Sequence, residues 1–229
     1  MAGARKPSVP RWLWILGVIV VSVIVVLLEP VSDDDSGTVV VENPSQALEA
    51  LAALPVRDEE PQDGYDRNLF GSAWTDNVTV GMGGNGCDTR NDILRRDLVD
   101  VSLEKGCTVR SGTLHDPYTG REIAFRRGVD TSSAVQIDHI VALSDAWKKG
   151  ARHLDEQQRR NLANDPRNLQ AVDGPTNQSK GDSDASEWLP PDSAYHCRYV
   201  EQQIEVKTVY ELWVTPQERD AMKRVLAAC

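Results

Sequence analysis

Apolar positions along this chain change period several times, and each change predicts an element. Trp12 to Leu28 is an unbroken uncharged run. Leu48, Leu51 and Leu54 recur at helical spacing after Asn43-Pro44-Ser45, which predicts a short capped helix over residues 46–54. Ile93, Leu94, Leu98 and Val101 form a second stripe and predict a helix over 89–101. Thr108-Val109-Arg110 and Glu122-Ile123-Ala124-Phe125 favour strands on either side of the turn sequence Asp116-Pro117-Tyr118-Thr119-Gly120, so a hairpin is expected. Val135-Gln136-Ile137 reads as a short strand, and Asn168-Leu169-Gln170-Ala171-Val172 as another, stopped by Asp173-Gly174-Pro175. Between them, residues 144–163 predict a surface-biased helix. Pro175 suits the first turn of a helix running toward Trp188-Leu189, before Pro190-Pro191. Residues 199–212 are apolar-periodic, and Thr215-Pro216-Gln217-Glu218 starts a last helix carrying Met222, Val225 and Leu226. No internal repeat is present. The glycine-rich stretch 81–86 lacks the strand and helix context of a dinucleotide motif and reads as a loop.

Charge divides the chain. Residues 1–11, with Arg5, Lys6 and Arg11, form a basic end that is expected to be cytoplasmic, and 12–28 is long enough for a minimal membrane-spanning signal-anchor. By the positive-inside rule the rest is extracytoplasmic. A cleaved signal peptide fits the same pattern, in which case the protein is secreted. Residues 29–66 hold eleven acidic side chains against Arg57, a balance of −10 that equals the net charge of the whole chain. The acidity therefore describes a tether, 29–64, expected to be flexible. Residues 65–229 remain as one domain, with aromatic residues at 65–74 entering the core. Residues 121–180 carry ten basic against eight acidic side chains, a weak excess. Arg126, Arg127, Lys148, Lys149, Arg152, Arg159, Arg160 and Arg167 are candidates for a phosphate-facing rim.

Four cysteines beyond an export segment point to two disulfides with three possible connectivities. Nearness in sequence favours Cys87–Cys107 and Cys197–Cys229. Without a Cys-x-x-Cys spacing, structural zinc is not expected.

The chemistry concentrates in Asp138-His139, Asn168 and Asn177-Gln178-Ser179-Lys180-Gly181-Asp182. A base, oxygen donors for a hard cation and a nearby ammonium are what phosphodiester cleavage with one metal requires. On a helix Asn177 and Lys180, three apart, share a face. In order of parts this segment resembles the ββα-metal motif of the HNH (His-Me finger) nucleases. With Cys87-Asp88-Thr89-Arg90-Asn91-Asp92, Ile137-Asp138-His139-Ile140-Val141 and Asn164-Asp165-Pro166-Arg167-Asn168-Leu169, the chain from about Tyr65 to Cys229 resembles the C-terminal nuclease domain of GmrSD-type restriction enzymes and exported actinobacterial proteins carrying it. The resemblance implies an α+β domain holding a ββα-metal motif. It makes His139 the general base, Asp138 and Asn177 metal ligands, and Asn168 a brace for the loop holding His139. Where the family often has histidine, this chain has Asn177, leaving an all-oxygen set that favours magnesium, with manganese as a substitute. Lys180 adds positive charge near the phosphate, and Arg90 is a candidate phosphate contact.

Each of these residues also has an ordinary structural role open to it. Asp-His pairs occur at surfaces and caps, Asn168 suits a turn, Asn177 suits a helix cap and Lys180 a solvated face. His115, His153 and His196 read as turn, surface and packing residues. The function expected is a metal-dependent endonuclease, membrane-anchored or secreted, cutting DNA with little sequence preference and using no small-molecule cofactor. The alternative is a degenerate nuclease fold serving as a binding or envelope-interaction module. Glycoside chemistry by Asp138 and Asp182 is a weaker third.

Overall fold

Asn43 opens the described part of the molecule: the computed structural model describes residues 43–128 and 132–229. The expected span at 12–28, its basic leader and residues 29–42 lie outside the described residues. No helix among the described residues is long and apolar enough to cross a membrane.

The first helix, α1 (Pro44–Ala53), starts where Asn43 accepts a hydrogen bond from the Gln46 amide at 3.0 Å. Its buried stripe is Ala47 and Leu51, continued by Leu54, while Leu48 faces solvent. Val56 then bridges to Val214, Glu59 pairs with Lys148 at 3.0 Å, and Glu60 meets Arg152 and His153. Residues 43–64 are therefore packed on the domain and not a flexible tether. Glu59 and Glu60 have partners some 90 residues away, which a local count of charge does not see.

Helix α2 (Thr89–Asp97) is capped by Asp88, whose carboxylate accepts from the Asn91 amide. It stops short of Val101, because Leu98 begins a strand. Val99 and Val101 are β-branched and suit it. The strand, β1 (Leu98–Glu104), takes up an irregular register with Asp100 in the left-handed region. It pairs antiparallel with β2 (Thr108–His115), which pairs with β3 (Glu122–Arg126) across the expected turn. Disulfides Cys87–Cys107 and Cys197–Cys229 have Cα separations of 5.5 and 5.9 Å.

A second antiparallel pair carries the chemistry: β4 (Val135–His139) against β5 (Leu169–Asp173), with His139 opposite Leu169. Between them, the stretch expected as one surface helix over 144–163 is three pieces. These are α3 (Leu143–Lys148), a 3-10 turn at Ala151–His153, and α4 (Glu156–Asn164). Gly150, at φ 122°, breaks the helix and an Asp155–Gln158 capping box restarts it. Helix α3 is buried rather than surface-biased. Helix α5 (Gly174–Lys180) follows β5 directly and packs back on β4 and β5, ending at Gly181 well before Trp188. Helices α6 (His196–Val209) and α7 (Pro216–Leu226) complete the α+β fold.

The β4–β5 pair is buried on both faces. Val135, Ile137, Leu169 and Ala171 pack with α2 and the three-stranded sheet, while Val172 packs with Tyr118, Tyr199 and Val200. Beneath α3 lies a buried ion network. The Lys149 ammonium is 2.6 Å from Asp145, 2.5 Å from Asp184, 2.9 Å from Glu218 and 3.7 Å from Glu59, and Lys207 is 2.6 Å from Glu218. Burial opposes ionisation of Asp184, but the Lys149 charge outweighs it and holds that carboxyl below its usual range. Lys149 thus belongs to the interior and not to a phosphate-facing rim. Replacing it with methionine leaves these carboxylates uncompensated. Lys149→Met is expected to lower stability by about 3–5 kcal/mol in chemical denaturation at pH 7; a loss under about 1 kcal/mol contradicts this picture.

Candidate active site

His139 ends β4 and forms one wall of a cavity of about 260 Å³, with Arg67, Phe70, Trp74, Leu143 and Asn164 among its lining. Its ring stacks on the Trp74 indole, centroids 5.8 Å apart and planes 14° from parallel. Nε2 lies 3.0 Å from the Ala163 carbonyl oxygen. A carbonyl only accepts, so Nε2 carries the hydrogen and Nδ1 of the neutral ring keeps its lone pair. Burial first, then the Arg67 charge, lower the His139 pKa to about 3, with Lys180 adding to the effect. The imidazole is neutral at physiological pH.

Asn168 is completely buried and fixes the backbone just after His139. Its Oδ1 accepts from the Val141 amide at 2.8 Å, and its Nδ2 donates to the Val141 and Leu162 carbonyls. Its own carbonyl accepts from the Ile140 amide. Because Leu162 and Ala163 are adjacent, one side chain ties the end of β4 to the end of α4 that orients the His139 ring.

Asp138 precedes His139 in the strand, and the two side chains part to different surroundings. Both Asp138 oxygens contact the Lys180 ammonium, at 3.0 and 2.9 Å, and Oδ2 accepts from the Tyr118 hydroxyl at 2.5 Å. Lys180 also donates to the His139 carbonyl at 2.7 Å. It is buried, not a solvated lysine. Asn177 does not cap its helix; Asp173 does, accepting from the Thr176 amide. Asn177 instead donates Nδ2 to the Gln136 side chain at 3.0 Å. Gln136 and Asp138 are two apart in β4, so Asn177, Lys180 and Asp138 share one side of the strand. Arg90 lies at the other end of β4, donating to the Val135 carbonyl, and is not in the His139 cavity.

The sequence between residues 88 and 225 matches the family described as GmrSD restriction endonucleases, C-terminal domain. The chain belongs to this HNH-type nuclease family. An "Uncharacterized secreted protein" of Arthroderma benhamiae is 40% identical over 187 residues, spanning 81% of this chain and 85% of that protein. No solved structure matches.

Nucleases of the HNH type generally use a divalent metal, and the donor types here suit one. Asp138 offers a carboxylate, and Asn177, with its nitrogen donated to Gln136, a carboxamide oxygen. A cation on Asp138 would have to supply the charge compensation that Lys180 now supplies. An acidic cluster elsewhere, Glu59, Asp145 and Asp184 within 4.8 Å of one another, already surrounds the Lys149 ammonium. Asp182 is exposed and accepts from the Ser144 hydroxyl, so it makes no open carboxylate pair with buried Asp138. Tyr118, Arg67, Trp74 and Asn164 were not legible as site residues. Arg67 and Trp74 precede the segment matched to the nuclease family, and only the fold brings them to His139.

A buried neutral histidine also links stability to pH. In the unfolded chain His139 binds a proton near pH 6.5, in the fold only near 3, so the unfolded state holds more protons between these values. Stability from this site is complete above pH 6.5 and is lost as pH falls toward 3, by at most about 1.4 kcal/mol per pH unit. Between pH 6 and 4 the wild type should lose more stability than His139→Gln in urea titrations. Equal slopes would mean that the imidazole is open to water.

Proposed function

We propose that this protein is an exported, metal-dependent HNH-type endonuclease that hydrolyses DNA phosphodiesters with little sequence preference. The observation that carries this is the His139 imidazole, held neutral with Nδ1 as the available lone pair at the wall of a cavity. In this account β4, β5 and α5 are the ββα-metal motif. His139 takes a proton from water, which attacks phosphorus. Asn168 and the Ala163 carbonyl fix the ring's position and tautomer, so the base is oriented before substrate arrives. A base depressed to about 3 is a weak acceptor; the negative charge of an entering phosphate raises its affinity for the proton. Asp138 and Asn177 would hold the cation, magnesium by their hard oxygen donors with manganese as a substitute, and the ion supplies neutralisation of phosphate and leaving 3′ oxygens when bound. Lys180, released from Asp138, adds charge to the developing pentavalent centre.

Two disulfides and the secreted relative support an extracytoplasmic location. Residues 12–28 deliver the domain there, as a single-pass anchor or as a segment removed on export. The second reading, a degenerate module that binds without cutting, is favoured by one feature: the Lys180 ammonium already neutralises Asp138.

Purified residues 43–229 with plasmid and magnesium test the proposal. The wild type should nick and linearise DNA, with His139→Ala slower by about 10²–10⁴. No cleavage, or equal cleavage by the variant, sinks it. Metal at Asp138 has its own test. Lys180→Met strands a buried carboxylate and should cost about 3–5 kcal/mol in chelator, and millimolar manganese should restore part of that loss. A variant equally unstable with and without manganese removes Asp138 from the metal site.

A further inference from the structure

The cavity beside His139 is walled by residues 67–74, which lie outside the segment shared with the nuclease family. Their position is fixed from several sides. Asp66 caps the 3-10 turn Arg67–Phe70 by accepting from the Asn68 amide at 2.8 Å. Phe70 is buried against Tyr65 and Trp147. The Arg159 guanidinium donates to the Leu69 carbonyl at 3.0 Å, and Gly71 at φ 84° turns the chain toward Trp74. Arg67 is thus an exposed side chain on a pinned backbone.

Among the described residues lining this cavity, Arg67 is the cation, and no carboxylate among the described residues lies within ion-pairing distance of it. The neighbouring cations are committed elsewhere. Lys180 serves Asp138, and Arg90 the Val135 carbonyl. Arg159 serves Leu69 and Leu154, Arg160 pairs with Glu156 and Arg167 with Asp165. An unpaired guanidinium lining the same cavity as the His139 imidazole is matched in charge and fork geometry to a phosphodiester anion.

We propose that Arg67 is the phosphate-binding residue of the His139 cavity, gripping non-bridging oxygens of DNA so that phosphorus faces the water His139 activates. The proposal rests on the nuclease reading and adds a residue from outside the family's matched segment. Trp74, stacked on the imidazole, lines the same cavity and holds the ring's plane.

Binding and cleavage are measured separately on the full-length protein. In a His139→Ala background, affinity for a fluorescein-labelled 20-base-pair DNA duplex is titrated across salt concentrations. Arg67→Gln should weaken binding about tenfold or more and lower the slope of log affinity against log salt by about one. Arg67→Lys should recover the slope but only part of the affinity, because an ammonium lacks the fork. Unfolding midpoints should match the parent, since the side chain is exposed. Parental affinity and slope in Arg67→Gln overturn the proposal, even if His139-dependent cleavage stands. Conversely, a wild type that cuts no DNA overturns the nuclease reading, while the duplex titration still decides whether Arg67 holds a phosphate. Absence of duplex binding by every variant at low salt overturns both.

Discussion

Burial of the β4–β5 pair on both faces governs what its side chains can be. A strand with solvent on one side can leave a carboxylate or an imidazole to water; this one cannot. Asp138 therefore needs an ammonium and a hydroxyl, which Lys180 and Tyr118 provide. His139 is held neutral, and its buried N–H requires the Ala163 carbonyl. Asn168, with no access to water, satisfies backbone groups of Val141 and Leu162. The same burial that stabilises the hairpin sets the tautomer of its histidine and the orientation of its ring. Positioning of the imidazole and satisfaction of buried polar groups are here one arrangement.

Lys180 joins the two halves of the site. It neutralises Asp138 and donates to the His139 carbonyl, so it senses both the carboxylate and the strand end that carries the base. A cation held at Asp138 would compete with the Lys180 ammonium for that carboxylate, because both would meet it as positive charge. The Lys149 network uses the same physics without the chemistry, because its carboxylates are closed around the lysine from four directions.

Much of this was legible in the sequence, for local reasons. The two short strands, the turn at 116–120 and the Thr215 cap follow from residue types a few positions apart, and the disulfides join the cysteines nearest in sequence, 20 and 32 residues apart. Asp138, His139, Asn168 and Lys180 stand out by order and spacing. What failed depended on distance. Leu98 and Val101 fit a helical stripe, yet pairing with β2 draws them into a strand. Gly150 and the Asp155 capping box divide a segment that looked like one helix. Glu59 and Glu60 read locally as part of a solvated acidic run, but Lys148, Arg152 and His153 pair with them across the fold. Arg67 and Trp74 carry no motif, and nothing in one chain's sequence says that they wall the His139 cavity. Arg90, prominent beside the Asp88 cap, instead holds the far end of β4.

The central claim is that the Nδ1 lone pair of His139 removes the proton from the attacking water, and chemical rescue tests it most directly. The His139→Gly domain leaves a space beside a cavity of about 260 Å³, which small imidazoles can enter. DNA cleavage by this variant should be close to absent in plain buffer and rise with added imidazole, in proportion to its unprotonated fraction as pH is varied. A His139→Gly protein that cuts DNA at the wild-type rate, or whose residual cleavage ignores imidazole at every pH while the folded structure is retained, would contradict the account.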